Sequence, residues 1–347
     1  MQGGIEIAGL PPVVIPVFIS NLGCPHRCLF CDQRQFSPPV QPDEIPLVVE
    51  RFIDGCASGR SRRRILAFFG GSFTGMEPRL LRDYLEVTRG LVDDGHIHAA
   101  KASTRPDMVT EEVIDLLWRS GFEELEIGVQ SMDDAVLAAS ARGHTSDDSV
   151  RACTLVRTSG MRLGIQLMPG LPGEGIPSFR RTVDEVLRLR PHTARIYPTV
   201  VLEGTALENL HRLGDYEPLT LEEAVDRALH AAIRLEAQGC TILRMGLPQS
   251  PTLKVASGPF HPCFGFLVRA RAYRFMAARA ISILGEGCRL VVNPRDVPEL
   301  VGYRRGTARE LNFSYSFNET IPRGTIRGDA APESTCIQLQ DILEYIL

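Results

Sequence analysis

Short apolar runs alternate with amphipathic helical patterns along the first two-thirds of the chain, and this rhythm restricts the fold more than any other feature. The apolar runs lie at 13–19, 65–69, 98–103, 124–129, 162–168 and 194–201. Between the first two, residues 43–55 carry Ile45, Val48, Val49, Phe52 and Ile53 on one side of a helix. Residues 79–90 repeat the pattern with Leu81, Tyr84, Leu85 and Thr88 at i, i+3, i+4 and i+7. A helix over 111–119 follows Thr110, whose hydroxyl suits an N-cap, and Glu111 and Glu112 favour its first turn. Further helical patterns occupy 133–140, 147–159, 177–189 and 220–237. Strand and helix repeated in this way predict an α/β fold with a parallel sheet and right-handed crossovers. The expected form is a partial (β/α)6 TIM-like barrel over residues 1–237, with an open doubly wound sheet as the alternative. Residues 238–347 break the rhythm and predict a smaller α+β segment on the substrate side, with strands at 240–245 and 289–293 and a helix at 264–282.

Chemistry-bearing residues stand at the carboxyl end of each expected strand, which favours the barrel, because barrel enzymes place their sites on that face. After the first strand come Cys24, Cys28 and Cys31, and after the second come Gly70, Gly71 and Ser72. The third ends in Ser103 and Arg105, the fourth in Gln130, and the fifth in Met168. The sixth carries Tyr197 and leads to Glu203. Glycine and proline punctuate any strand end, which accounts for the glycines but not for polar residues inside the strand termini.

Cys24, Cys28 and Cys31 form a C-x3-C-x2-C loop directly after an apolar stretch. Three thiolates so placed can hold three irons of a [4Fe-4S] cube and leave the fourth iron open to a small molecule. A zinc knuckle would want a second ligand pair across a longer loop, and His26 is too close to its neighbouring cysteines to close a tetrahedron with them. Purely structural cysteines would not cluster in a polar loop. The remaining cysteines, Cys56, Cys153, Cys240, Cys263, Cys288 and Cys336, are scattered singly, which fits a reducing cytoplasm.

Other readings are negative or local. The chain of 347 residues has no apolar stretch long enough to cross a membrane and no signal-peptide pattern, so a membrane role is not expected. Its net charge of -4 excludes a generally basic nucleic-acid binder. Arginine supplies nearly all the cationic charge, with Lys101 and Lys254 as the two lysines. The run Arg60, Arg62, Arg63 and Arg64 is read as a solvated loop before a strand or as a local phosphate contact. The segment Ser257 to Gly265 holds His261 and Cys263, read as a Pro/Gly turn before a helix or as a contact at the barrel mouth.

The cysteine loop after the first strand of a six-fold β/α series resembles the radical S-adenosylmethionine (SAM) superfamily. That resemblance implies a [4Fe-4S] cluster whose open iron chelates SAM and reductively breaks its S–C5′ bond, giving a 5′-deoxyadenosyl radical that removes hydrogen from substrate. It implies SAM contacts from Phe30 (adenine), Gly70 and Gly71 (ammonium), Ser72 (where the family pattern often has an acidic residue), Ser103 and Arg105 (carboxylate and ribose), Gln130 (ribose) and Met168 (adenine). The alternative readings are that Phe30 is core, that Arg105 pairs with Asp107 and that Met168 fills space. It also implies an electron donor such as flavodoxin or ferredoxin. His144 is read as a helix-start residue or a substrate-side acid/base, and Tyr197 and Glu203 are the other substrate-side candidates.

Leu125 to Ser131, followed by Arg142-Gly143-His144-Thr145, is similar to the radical SAM domain of the Elongator catalytic subunit; so is Arg195 to Leu207. The similarity spans roughly residues 13–237 and implies an RNA (tRNA) base as substrate. Three departures point to a short bacterial Elongator-like form: x3 spacing where that subunit has a longer gap, no acetyltransferase domain, and no basic N-terminal extension. The Gly-Val-Gln-Ser stretch also resembles oxygen-independent coproporphyrinogen oxidase, which implies a tetrapyrrole-like substrate instead. A zinc-bound, non-catalytic RNA or protein binding module is the alternative of another class.

Overall fold

A computed structural model of the chain describes residues 11–31, 38–55, 62–250, 252–329 and 336–346. Cys56 and Arg60 lie outside the described residues. The first half contains β1 (Val13–Phe18), α1 (Ile45–Gly55), β2 (Arg64–Phe69), α2 (Pro78–Asp93), β3 (Ala99–Thr104), α3 (Glu111–Arg119), β4 (Phe122–Gln130), α4 (Asp134–Ala139) and α5 (Ser146–Thr158). Then come β5 (Arg162–Leu167), α6 (Ile176–Leu189), β6 (Thr193–Ile196), β7 (Val201–Leu202), α7 (Ala206–Leu213), α8 (Leu221–Ala237), β8 (Thr241–Met245) and β9 (Val255–Ser257). The chain finishes with α9 (Phe264–Leu284), β10 (Arg289–Val292), α10 (Val297–Val301), α11 (Gly306–Glu310), β11 (Ser314–Phe317), β12 (Thr325–Gly328) and β13 (Cys336–Gln338).

Seven strands form one parallel sheet in the order β1-β2-β3-β4-β5-β6-β8. The order never reverses, so right-handed crossovers put every connecting helix on the same face. That excludes the doubly wound alternative, which needs a reversal of strand order. The sheet curls into a partial barrel, with the helices outside. The sheet continues past residue 237, and a separate four-stranded sheet, β11-β10-β12-β13, begins only at β10.

The two faces of the main sheet differ sharply. Leu66, Phe68, Ala100, Ala102, Leu125, Ile127, Leu163, Ile165 and Ile196 belong to the hydrophobic core under the helices. Phe68, Phe73, Tyr84 and Phe122 form an aromatic cluster there, with centroids 4.6 Å (Phe68–Phe73) to 5.9 Å (Phe68–Phe122) from the Phe68 ring. The register sets Lys101 beside Glu124 and Ser103 beside Glu126 on the opposite, inner face. The same register continues through Gln166 beside Arg195. α9 joins both sheets to one core: Val268, Tyr273 and Met276 pack in the same cluster as Leu290, Val292 and Ile326.

One expected strand is broken. Residues 194–201 do not run as a single strand: β6 stops at Ile196, and β7 pairs antiparallel with β9 instead. Pro198 has no N–H for a ladder and interrupts the strand. The arginine run has a structural use. Arg62 donates to the Pro11 carbonyl, Arg63 pairs with Glu123, and Arg64 donates to the carbonyls of His96 and Gly95.

Candidate functional site

The cysteine loop leaves the carboxyl end of β1 and is clamped against the loop after β2. The Ser72 amide donates to the Leu22 carbonyl at 2.9 Å. The two loops meet backbone to backbone through glycines. A Cβ on Gly71 would lie 2.6 Å from the Leu22 oxygen, and one on Gly23 (φ +72°) would lie 2.1 Å from the Ser72 oxygen. Gly75 packs the same way, its missing Cβ 2.4 Å from the Gly23 oxygen. Gly71, expected to open a path to the SAM ammonium, therefore also serves the packing, since its bare backbone admits the cysteine loop.

On its other side the loop is held by Leu29, whose amide donates to Ser140 at 3.2 Å and whose carbonyl accepts from Leu207 at 2.9 Å. Leu29 and Phe30 pack against the small cluster Val201, Leu207 and Tyr216. Cys28 is buried, whereas Cys24 and Cys31 are half-buried. Burial and the neighbouring Cys28 push the Cys24 thiol up, against the opposing pull of Arg105 and Arg142.

Two buried arginines flank the cysteines. Arg142 donates to the Cys28 sulfur at 3.2 Å and to the Gly128 carbonyl at 2.9 Å. Arg105 uses its fork on Asp107, with contacts of 3.0 and 3.1 Å, and also donates to the Arg142 carbonyl. The carboxylate clamp expected of Arg105 is thus occupied by a carboxylate of the chain itself. Ser72 is fully buried, with its hydroxyl 3.0 Å from that of Thr104 and accepting from the Arg105 amide at 3.2 Å.

Gln130 lies at the end of β4 in the left-handed region (φ 65°), next to an irregularity in the β4–β5 register. A non-glycine residue held there marks a backbone constrained for a purpose. Its carbonyl accepts from the amide of half-buried Met168 at 3.0 Å, while its own amide oxygen is buried without a partner. His144 is buried, its Nε2 3.3 Å from the Val129 carbonyl and its Nδ1 unpartnered. Burial, then Arg142 and Arg105, hold His144 down at about 4. Ser20 Oγ, Arg142 Nε and Thr199 Oγ1 are likewise buried, and none of these atoms has a partner among the described residues. Five such atoms collect at the carboxyl ends of β1, β4 and β6 and in the turn after α4.

The inner face carries a charged network that sequence reasoning missed. Glu126 is bound by Arg195 at 2.7 Å, by Lys101 at 3.3 Å and by Gln166 at 3.2 Å. Gln166 also reaches Ser103 at 3.2 Å, and Arg195 donates to the Tyr197 hydroxyl at 3.2 Å. Lys101 and Thr193 both contact Glu124, and the Arg195 guanidinium lies 5.1 Å from the Phe69 ring centre. Burial pushes the Tyr197 hydroxyl up, although Arg195 opposes it. A readable signal existed: one of the chain's two lysines stands between alanines in the middle of an expected strand. Glu203, in contrast, is exposed on the turn after β7, and its amide donates to the Lys254 carbonyl at 3.0 Å. The structure gathers Ser103 and Tyr197 around Glu126 and sets His144 beside Arg142, but it leaves Glu203 on the rim.

Among the described residues, no three His, Cys, Asp or Glu side chains converge to hold a single metal ion. A cube needs no such convergence, because each thiolate ligates its own iron.

A partial parallel barrel with a three-cysteine loop at the carboxyl end of its first strand puts chemistry-bearing residues on the face where barrel enzymes build their sites. Comparison with known proteins gives the family. The radical SAM superfamily signature matches residues 18–186, and the radical SAM C-terminal domain matches residues 191–274. The chain belongs to the radical SAM superfamily, and it is a radical SAM enzyme. It is 34% identical over 126 residues to the tRNA uridine(34) acetyltransferase of Methanocaldococcus jannaschii, covering 35% of this chain and 23% of that protein. It is 28% identical over 249 residues to the protein of the same name from Dehalococcoides mccartyi, covering 61% of this chain and 53% of that one. The chain therefore spans about half the length of these relatives or less. The solved structure of the archaeal Elp3 of Methanocaldococcus infernus superposes with a TM-score of 0.61 over 79% of this chain and 64% of that one, at 22% identity. No helix among the described residues is long and apolar enough to cross a membrane.

Proposed function

We propose that this chain holds a [4Fe-4S] cluster on Cys24, Cys28 and Cys31, binds SAM at the open iron, and modifies a base of an RNA, with tRNA as the substrate class. Held by Cys24, Cys28 and Cys31, a reduced cluster would supply the one electron that splits the S–C5′ bond of SAM into methionine and a 5′-deoxyadenosyl radical. The observation that carries the reading is a set of polar atoms, buried and without partners among the described residues, at the carboxyl ends of β1, β4 and β6 and in the turn after α4: Ser20 Oγ, Gln130 Oε1, Arg142 Nε, His144 Nδ1 and Thr199 Oγ1. Buried polar groups without partners are costly, so a set of them at one mouth fits a polar ligand that supplies the missing bonds.

The chain's own groups then divide the work. The three thiolates bind iron. Arg142 donates to the Cys28 sulfur, a hydrogen bond of the kind that tunes cluster potential. Gln130 presents an acceptor suited to a ribose hydroxyl, and Phe30 and Met168 line the adenine side. Ser72 and Ser103 provide hydroxyls at the ends of β2 and β3. Tyr197 extends the Glu126 network toward the substrate, with His144 and Glu203 as further substrate-side groups. The residues after β8 cap that side. A flavodoxin or ferredoxin supplies the electron in a reducing cytoplasm. The RNA assignment draws on the relatives' names, which specify a tRNA uridine.

The test is anaerobic reconstitution followed by reaction with SAM and a reductant. About four irons and four sulfides per chain, with 5′-deoxyadenosine formation stimulated by tRNA, is the expected result. Stimulation by coproporphyrinogen and not by tRNA would replace the substrate class. One zinc and no sulfide would remove the reading altogether.

A further inference from the structure

The loop between α10 and α11 is bent by three residues with positive φ: Gly302 (81°), Arg304 (51°) and Arg305 (62°). Two neighbouring arginines in the left-handed region each carry a steric cost that glycine would avoid. A Cβ on Gly302 would lie 2.5 Å from the Thr307 hydroxyl, so the bend is tightly packed at its base. Its product is a preset Tyr303. The Arg304 guanidinium carbon lies 5.4 Å from the Tyr303 ring centre. The His261 ring meets the same ring edge-on, at 5.3 Å and 88°. Yet Tyr303 is 43% exposed and takes no part in the hydrophobic core. Arg304 and Arg305 are exposed too, and neither is in an ion pair among the described residues.

This cluster stands on the rim that carries the cysteine loop. All strands of the main sheet are parallel, and β8 closes onto β6 through the Gly246 amide, which donates to the Ile196 carbonyl at 2.9 Å. The start of α9 rests on the carboxyl end of β8, since a Cβ on Gly246 would lie 2.6 Å from that of Phe264. His261 is fixed just before α9, its Nδ1 accepting from the Cys263 amide at 3.1 Å. β9, a few residues earlier, pairs with β7, and α7 after it binds the cysteine loop through Leu207 and Leu29. Lys254, the second of two lysines, lies in this same rim segment.

We infer that Tyr303 is a stacking post for an unpaired base of an RNA substrate, with Arg304 and Arg305 contacting the flanking phosphates. The inference rests on the RNA reading above and assigns it a surface. An exposed aromatic ring contacted by Arg304 and His261, and flanked by arginines outside any ion pair among the described residues, matches the way single-stranded RNA is bound, by stacking on a face and by charge on the backbone. A small tetrapyrrole enclosed in the barrel would have no use for an exposed ring on the rim.

The test uses the full, cluster-loaded chain under anaerobic conditions. Affinity is measured for a short single-stranded oligoribonucleotide, for the same sequence as a duplex, and for tRNA, across a salt series. Tyr303→Ala should weaken single-strand binding by roughly 5- to 100-fold and leave the salt slope unchanged. Tyr303→Trp should retain binding. Tyr303→Leu, which keeps apolar bulk without a π face, should behave as Tyr303→Ala and guards against a folding defect, with melting temperature as control. Arg305→Gln should lower the salt slope by about one. RNA binding by the wild type that Tyr303→Ala and Tyr303→Leu leave intact would overturn the stacking post and spare the RNA reading. A wild type that binds none of the three RNAs would overturn the RNA reading and the post with it.

Discussion

Arg142 and Cys28 lie 3.2 Å apart, guanidinium nitrogen to sulfur, although 114 residues separate them in the chain. A second nitrogen of Arg142 holds the Gly128 carbonyl at 2.9 Å, so a single side chain links the cysteine loop to the end of β4. Arg142→Ala should leave that buried carbonyl without its partner and lower stability by about 1–3 kcal/mol. Arg142→Lys can keep one of the two bonds and should fall between. Chemical denaturation of the metal-free chain measures both. A full-strength Arg142→Ala variant would show that the link is idle.

The cysteines should separate cofactor loading from folding. Cys24→Ala, Cys28→Ala and Cys31→Ala should each abolish reductive SAM cleavage and lower iron and sulfide content, while far-ultraviolet circular dichroism stays near wild type. Wild-type cleavage by any one of the three would contradict the ligand assignment.

Gly23 offers a steric test of the clamp between the two loops. Gly23→Ala must fit a methyl group 2.1 Å from the Ser72 oxygen at a φ of +72°. Backbone, not a flexible side chain, is in the way, so the cysteine loop has to move. A stability loss of at least about 1–3 kcal/mol is expected, together with reduced iron loading. Gly160→Ala, where φ is also positive but nothing lies within 4 Å of the added carbon, is the control for backbone strain alone. Equal losses in the two variants would mean that loop packing is not what Gly23 protects.

Glu126 anchors the inner-face network. Burial would push its carboxyl up, but Arg195, then Lys101, outweigh burial and hold it below its ordinary value. A depressed carboxylate contributes stability above its unfolded pKa and loses it as pH falls through the folded value. Glu126→Ala would take from Arg195 its carboxylate and leave Lys101 with Glu124 alone, at a cost of up to about 3–5 kcal/mol. Glu126→Leu together with Lys101→Met and Arg195→Met should recover much of the stability but not the activity. Denaturation midpoints and 5′-deoxyadenosine yields distinguish the two effects.

His144 and His230 are both held down at about 4, first by burial and then by neighbouring arginines. Each is neutral in the folded chain over a range where the unfolded chain takes up a proton. Stability should therefore fall as pH drops from about 6.5 to about 4. Glu174, pushed up to about 7 by burial despite Arg227, acts oppositely and loses stability as pH rises from its unfolded value to about 7. The difference between wild type and His230→Gln isolates one histidine. Its slope should be positive between pH 4 and 6.5, and a flat difference would refute the shift.

Much of the fold is legible because strand and helix leave different periodicities in the sequence. The runs at 65–69, 98–103, 124–129 and 162–168 appear as β2 to β5 within two residues at each end, and Thr110 caps α3 by accepting from the Val113 amide at 3.3 Å. Pro198 is plain in the sequence, yet the apolar run around it reads as one strand until the ladder shows the break. The seventh strand is visible as an apolar run at 240–245, but the change of rhythm there places it with the C-terminal segment and not in the main sheet, since an apolar run does not name its neighbour.

The sequence by itself determined the parallel β/α rhythm, the place of the cysteine loop at a strand's carboxyl end, and the caps of the helices, all of which depend on residues near one another in the chain. Tertiary structure decided that Gly23 and Gly71 serve loop-to-loop packing, that Arg105 is engaged by Asp107, and that Lys101, Glu126 and Arg195 share one buried face. Local patterns fix backbone conformation because they act over a turn or a strand; partners such as Arg195 and Glu126, 69 residues apart, meet only after the sheet has chosen its register.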